Sequence, residues 1–286
     1  MATWNITAGS ASVDGALPIF ASKNYLTQDA IDYGTFTADE MTSLISRVID
    51  GDPFSYWIQS SAGSDGTQVI VGPFSFNQGS SLIARSPDLV ILQNINWKNF
   101  VGEWSADGNT WTTITGLNYA SGVANNTAAN LIVNPSNIAS AKYVRFRVTD
   151  TITANAKKKV GGIILCAGVV QPANGYQDYK VKMRESVREV ELGDKTISRE
   201  YILRSATSYE FWGATFTLSH VTAAELLLLR TIKREGDPFI YIPEPGDMPG
   251  DAWLCHFDGA WNQEFENPIK SVGYSISAKV KEVGSH

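Results

Sequence analysis

From Asp65 to about Val170 the chain sets short apolar runs between turn residues. AKYVRFRVTD carries the pattern most cleanly: Tyr143, Arg145 and Arg147 fall on one side of an extended chain, Val144, Phe146 and Val148 on the other. A period of two marks a strand with one wet face and one buried face. TQVIVGPFSF predicts another strand. DLVILQNINW is nearly continuously apolar and predicts a strand covered on both sides. In FVGEWSADGNTWTTI, Asp107-Gly108-Asn109 separates two aromatic-rich arms and predicts a hairpin. VGGIILCAGVV reads as a buried closing strand. Repeated strands with turn signals between them predict an antiparallel sandwich or barrel.

The texture changes after AGVVQPANGYQDYK, where Pro172, Asn174 and Gly175 make a turn-rich connection. We therefore expect two domains, 1–170 and 171–286, the first able to fold alone. In the second, YKVKMRESVREVELGDKTISREYILRS interleaves charges with Val, Ile, Leu and Tyr around Gly193-Asp194 and predicts a long hairpin with a charged outer face. EFWGATFTLSHV alternates Phe211, Gly213, Thr215 and Thr217 against Trp212, Ala214, Phe216 and Leu218. A helix, then PFIYI, AWLCHF and SVGYSISAKVKEV complete a sheet with one flanking helix. The expected fold class is mainly β: an N-terminal antiparallel sandwich or barrel, then a C-terminal β-sandwich or sheet domain with one flanking α-helix.

One phrase occurs twice. TADEMTSLISRVIDGDPFSYW starts at Thr37 and TAAELLLLRTIKREGDPFIYI at Thr222. Each predicts a capping box, Thr37 with Glu40 and Thr222 with Glu225. Each then supplies a glycine to end the helix, Gly51 or Gly236, and a proline two residues on, Pro53 or Pro238. The flanks of the two copies differ.

The 286 residues suffice for two proper cores, and 43% hydrophobic with 18% charged residues argues against disorder. A net charge of −6 argues against general nucleic-acid binding. Cys166 and Cys255 lack a metal spacing and are expected buried and reduced. The first twenty residues lack a basic start followed by an apolar run, and VGGIILCAGVV is too short to cross a bilayer. The expectation is a soluble protein from a reducing compartment.

No catalytic, cofactor or metal constellation is read. Cys255 and His256 are neighbours in a strand and point to opposite faces, so they cannot converge as nucleophile and base. Asp251, Asp258, Glu264 and Glu266 could form a glycosidase pair, but beside Pro- and Gly-rich turns they read as solvated or capping groups. Asp50 and Asp52 lack a regular calcium-ligand spacing. Lys157–Lys159 reads as a solvated loop tip, with an acidic partner surface as the functional alternative. Trp97, Trp104 and Trp111 are expected in the core, while Phe74 and Phe76 are the candidate loop contacts.

Residues about 25–170 resemble a discoidin (F5/8 type C, galactose-binding-like) jelly roll. The resemblance is carried by DGDPFSYW, DLVILQNINW, AKYVRFRV and, above all, the S-x-D-G-x-x-W hairpin of GEWSADGNTWTTI. It implies ligand binding through loops at one end. Residues about 176–286 resemble the tube-forming domain of phage and prophage tail proteins, the group including distal tail proteins. EFWGATFTL, the leucine-rich helix, GDPFIYIPEP and a closing alternating strand carry that likeness. Together these imply a structural component of a phage or prophage tail, a distal tail or baseplate ring protein with a peripheral jelly roll. Such a protein belongs in the virion tail, assembled in the bacterial cytoplasm. Its partners would be copies of itself, in a ring of six or, as second choice, three, and other tail or baseplate proteins. Arg184, Glu185, Arg188, Glu189 and Glu191 are the candidate subunit interface. The alternative is a carbohydrate-binding, lectin-like module protein with a glycan partner; the expectation on a glycan array is weak or absent binding. Neither a membrane nor direct nucleic-acid reading is expected.

Overall fold

The computed structural model describes residues 17–26, 36–49, 55–60, 65–78, 80–172, 176–191, 197–202, 210–236, 238–243, 245, 252–265 and 273–282. The first 170 residues contribute β1 (Ile19–Asn24), β2 (Phe36–Ala38), β3 (Trp57–Ile58), β4 (Val69–Ser75), β5 (Asn77–Gln78), β6 (Ser81–Leu82) and β7 (Leu89–Gln93). Next come β8 (Trp97–Ser105), β9 (Thr112–Tyr119), β10 (Leu131–Val133), β11 (Tyr143–Thr151), β12 (Lys159–Val160) and β13 (Gly162–Val170). Beyond them lie β14 (Tyr176–Glu191), β15 (Ile197–Ile202), β16 (Glu210–Val221), the helix α1 (Ala223–Glu235), β17 (Phe239–Ile242), β18 (Trp253–Phe257), β19 (Asn262–Phe265) and β20 (Tyr274–Glu282).

The chain is mainly β, and its first part is an antiparallel sandwich. One layer is the five-stranded sheet β2-β4-β11-β8-β9. The other begins β10-β7-β13-β1. Between them lies a core that includes Val71, Phe74, Val90, Leu92, Trp97, Phe100, Phe146, Val148, Ile163 and Leu165. The alternation of β11 is as expected, with Val144, Phe146 and Val148 buried and the residues between them half-buried. All five residues of β7 are buried, because Val90 and Leu92 face this core while Leu89 and Ile91 face another. DLVILQNINW is nevertheless two strands: Asn94 adopts a left-handed φ of 51°, and the chain turns there into β8. Asparagine tolerates that conformation better than a β-branched residue would.

The second layer does not stop at β1. It continues β1-β17-β18-β20-β16-β14-β15, with β19 alongside β20, as one eleven-stranded sheet. β13, expected to close the sandwich, is interior, between β7 and β1. β1 pairs β13 on one side and, through Ile19↔Ile242, Phe20↔Tyr241 and Ala21↔Ile240, pairs β17 on the other. Its alternation feeds two cores. Ile19 and Ala21 join Leu89, Ile91, Ile164, Cys166, Ile240 and Ile242. Phe20 enters the core under α1, within 6.4 Å (centroid to centroid) of Phe216, Phe239, Tyr241 and Phe257. The β1–β13 ladder shifts register near Ser22 and Ala167, and Gly168 has φ 67°. Such a bulge reverses which face a residue takes: Ile164 and Cys166 face one core, yet Val170 faces the other.

The two copies of the repeated phrase fold differently. At Thr222 the capping box forms: Thr222 Oγ1 accepts from the Glu225 N–H at 3.3 Å and the Glu225 carboxylate accepts from the Thr222 N–H at 2.7 Å. Leu226, Leu229 and Ile232 bury one stripe of α1, and Gly236 ends it in the left-handed region at φ 71°. At Thr37 no box forms. Thr37 lies in β2 and its hydroxyl donates to the Gly72 carbonyl at 2.9 Å. Glu40 instead accepts from the Gln59 amide and from Ser60 N–H and Oγ. Only a short 3-10 helix, Thr42–Val48, follows. Sheet pairing with β4 has taken the residues that a helix start would need. Gly51, Asp50, Asp52, Pro53 and the Gly193-Asp194 turn lie outside the described residues.

Phe20→Ala should destabilise the protein by about 3–5 kcal/mol, the range for deleting a buried aromatic side chain. Urea unfolding followed by tryptophan fluorescence measures it; a loss below about 1 kcal/mol would contradict the bridging role of β1.

Candidate functional site

At one end of the sandwich, loops before β4, between β7 and β8, between β9 and β10 and after β11 come together, braced by asparagine amides. An amide both donates and accepts, so one side chain can tie two segments. Asn96 Nδ2 donates to the Lys157 carbonyl at 2.7 Å, and its Oδ1 accepts from the Lys159 N–H at 2.9 Å. Its own carbonyl accepts from the Ile152 N–H at 2.8 Å. Asn126 Nδ2 donates to the carbonyls of Trp97 and Ala128. Asn130 Oδ1 accepts from the Asn94 N–H at 2.8 Å.

Of the three lysines here Lys157 is exposed, Lys159 half-buried and Lys158 buried, so only the first is a solvated tip. Lys157 Nζ donates to the Ser60 carbonyl at 2.8 Å, and Lys159 Nζ to Asn94 Oδ1 at 3.0 Å. Lys158 is wholly buried. Burial pushes its ammonium down from the ordinary value, while Asp65, Asp150 and Glu40 push it back up. A buried charge persists only with such compensation. Asp65 accepts from Thr151 N–H and Oγ1, each at 3.2 Å. Burial would raise its carboxyl, but hydrogen bonds from Thr151 and Asn155 outweigh that and hold it below the usual range.

Over this braced floor the side chains are exposed and apolar. Tyr56, Val123 and Ile152 are 39%, 66% and 40% exposed. The Lys159 ammonium stands 5.9 Å from the Tyr56 ring centroid. An aromatic face beside ammonium and amide groups can stack on the apolar face of a sugar ring and hydrogen-bond its hydroxyls.

A second polar cluster lies on the outer face of the five-stranded sheet. Glu103 on β8, almost wholly buried, stands opposite Arg145 of β11. Its Oε2 accepts from Arg145 Nε at 2.8 Å and Arg147 Nε at 3.0 Å, and its Oε1 from an Arg147 terminal nitrogen at 2.7 Å. Burial alone would raise the Glu103 carboxyl; the two arginines more than offset it. Arg145 Cζ lies 3.9 Å from the Trp111 ring centroid. In the adjoining hairpin, Asp107 accepts from the N–H groups of Thr110 and Asn109 and from Ser105 Oγ, which hold its carboxyl down to about 2.

Several expected positions move. Phe74 and Phe76 are buried in the sandwich core and cannot be loop contacts, because Phe74 takes an inward position of β4 and Phe76 packs edge-on against Tyr25. Trp97 is core and Trp104 packs against it, but Trp111 sits outside, over Arg145. Cys166 and Cys255 are free and buried, which pushes both thiols up. His256 is half-buried next to Cys255, and burial, then Lys281, pushes its imidazole down. Asp258 pairs loosely with Lys281 at 3.8 Å. Arg184, Glu185, Arg188, Glu189 and Glu191 lie on β14; their side chains, with that of Glu264, are outside the description, as are Asp251 and Glu266 altogether. Tyr56 and the bracing asparagines were not singled out from sequence; the density of asparagine in QNINW and ANNTAAN was the available signal.

This architecture is that of a mainly β protein whose first part is an antiparallel β-sandwich. No family model and no curated protein matches the chain. Among solved structures it is similar to CpGH89CBM32-6 of Clostridium perfringens, at 19% identity and TM-score 0.37, covering 50% of this chain and 98% of that one. It is also similar to a chitosan-binding module of a chitosanase/glucanase from Paenibacillus sp. IK-5, at 17% identity and TM-score 0.37, covering 51% and 99%. A third, CpGH89CBM32-4 of Clostridium perfringens in complex with GlcNAc-α-1,4-galactose, matches at 14% identity and TM-score 0.37, covering 56% and 100%. Likenesses this distant carry no ligand over to this chain.

Asp65 sets a pH expectation. Its folded carboxyl titrates below the ordinary value of about 3.9. Its clamp on Thr151 therefore contributes fully above that pH and is lost as pH falls through the depressed value. Asp65→Asn should lose less stability than the parent on acidification from about pH 5 to pH 2. Equal slopes in denaturant titrations across that range would refute the clamp.

Proposed function

We propose that this is a non-catalytic glycan-binding protein whose jelly roll meets a sugar through its loop end, while the second half holds that roll in a larger assembly. The carrying observation is Tyr56, exposed just before β3, with the Lys159 ammonium 5.9 Å from its ring and donating to Asn94, on a strand that Asn96 braces. Pre-organised loops spare a ligand the cost of ordering them. A glycan array with the full chain is the test, followed by Tyr56→Ala. Binding should appear and weaken about tenfold in the variant, an effect of ~1.4 kcal/mol. An exposed side chain can be truncated with little effect on folding. An array without binding, or binding indifferent to Tyr56, would reject this reading.

A second reading has its own support. It is assembly as a distal tail or baseplate ring in a phage or prophage virion, six-fold or else three-fold, with other tail proteins as neighbours. Each paired residue of β14 has a ladder partner on one side only among the described residues: Tyr176–Glu185 with β16, Ser186–Glu191 with β15. The strand has 16 residues and extends about 50 Å, and the stretches of it without a second ladder partner favour pairing with a neighbouring chain. Head-to-tail contacts close into a ring when the rotation permits. Light scattering at micromolar concentration should give a multiple of the chain mass. A monomer at moderate salt would overturn the ring; a ring that survives deletion of Val181–Tyr201 would overturn only this interface.

A further inference from the structure

We infer that the outer face of the five-stranded sheet holds a second binding position, at the Arg145 guanidinium, for the carboxylate or sulfate of an acidic glycan. The inference rests on the glycan reading for the identity of the carrier, but its site is separate from the Tyr56 loops.

The cluster is unequal in charge: two guanidinium groups share one carboxylate. Arg147 takes the larger share of Glu103, giving both Nε and a terminal nitrogen to it, and spends its other terminal nitrogen on Gln68 Oε1 at 3.2 Å. Arg145 gives Glu103 only its Nε. Among the described residues its two terminal nitrogens have no hydrogen-bond partner, although the side chain is only 21% exposed. A guanidinium offers five donors in a planar fork that matches a carboxylate or sulfate bidentately. Here that fork is pinned. Trp111 lies against its plane, Glu103 fixes Nε, and the neighbouring strand runs close beneath. A Cβ on Gly72 would stand 3.0 Å from Arg145 Cα and Cβ, and its φ of 115° belongs to glycine. Tyr143 and Arg147 flank Arg145 on the same strand face. The result is one net positive charge with free, oriented donors, so a bound oxyanion loses little freedom beyond its own.

The test is NMR of the full chain, observing the arginine Nε–Hε signals and the Tyr56 ring, during titration with glucuronate, glucose 6-sulfate, acetate and glucose. Glucuronate or the sulfated sugar should shift Arg145 Nε–Hε, and glucose should not. Acetate shifting it as strongly at equal concentration would reduce the site to adventitious anion binding and overturn the glycan assignment. Arg145→Lys keeps the charge but loses the fork and should weaken the acidic ligand about tenfold or more. Thr113→Ala, nearby on β9, should leave it unchanged and controls for folding. Arg145 responding while Tyr56 stays silent to every sugar would support this site and defeat the loop-end reading. Tyr56 responding while Arg145 is silent to both acidic sugars would overturn this inference alone.

Discussion

The structure depends on what β1 does with three residues. A strand of alternating apolar side chains can serve two cores at once, since successive residues point to opposite faces. Ile19 and Ala21 go one way and Phe20 the other, while the backbone pairs β13 and β17 together. An N-terminal segment thereby joins the sandwich to β17, more than 200 residues later in the chain. Without it both neighbouring strands would gain an open edge, and the aromatic group of Phe216, Phe239, Tyr241 and Phe257 would lose its central ring.

Charge burial organises the rest of the sandwich. Glu103 on the sheet face and Lys158 among the loops are both withdrawn from water, and each is met by more than one opposite charge. Removing a partner from such a group costs far more than the pair contributes. These clusters therefore fix geometry more than they add stability. The Glu103 cluster holds Arg145 and Arg147 flat on the sheet. The Lys158 cluster draws Glu40, Asp65 and Asp150, from three separate segments, toward one ammonium. The loop from Ile152 to Lys159 rests on that arrangement and on the Asn96 bridges.

The repeated phrase shows how far local signals reach. T-A-x-E at 222 is followed by four leucines, of which Leu226 and Leu229 are buried on one stripe with Ile232, and the box closes. T-A-D-E at 37 is followed by a weaker apolar pattern and lies beside β4, whose open edge takes Phe36–Ala38 as a strand. A capping box contributes about 1 kcal/mol; a ladder plus burial of Ala38, Ile45 and Val48 in the sandwich core outweighs it.

By itself the sequence determined the local elements whose period and turn chemistry agree: the alternation of β11, the double-sided burial of β7, the Asp107–Gly108 hairpin and the fully capped helix α1. Each is decided by neighbours a few residues apart, so the order of side chains is sufficient. Only the tertiary structure decided that β1 belongs to both halves, that Phe74 and Phe76 turn inward while Trp111 turns outward, and that Lys158 is buried. Those outcomes depend on which distant segments meet, as Trp111 meets Arg145, Gly66 meets Asp150 and Phe20 meets Tyr241. A period of two says that faces alternate, but not which face will find a second layer, because that face is chosen by the partner that covers it.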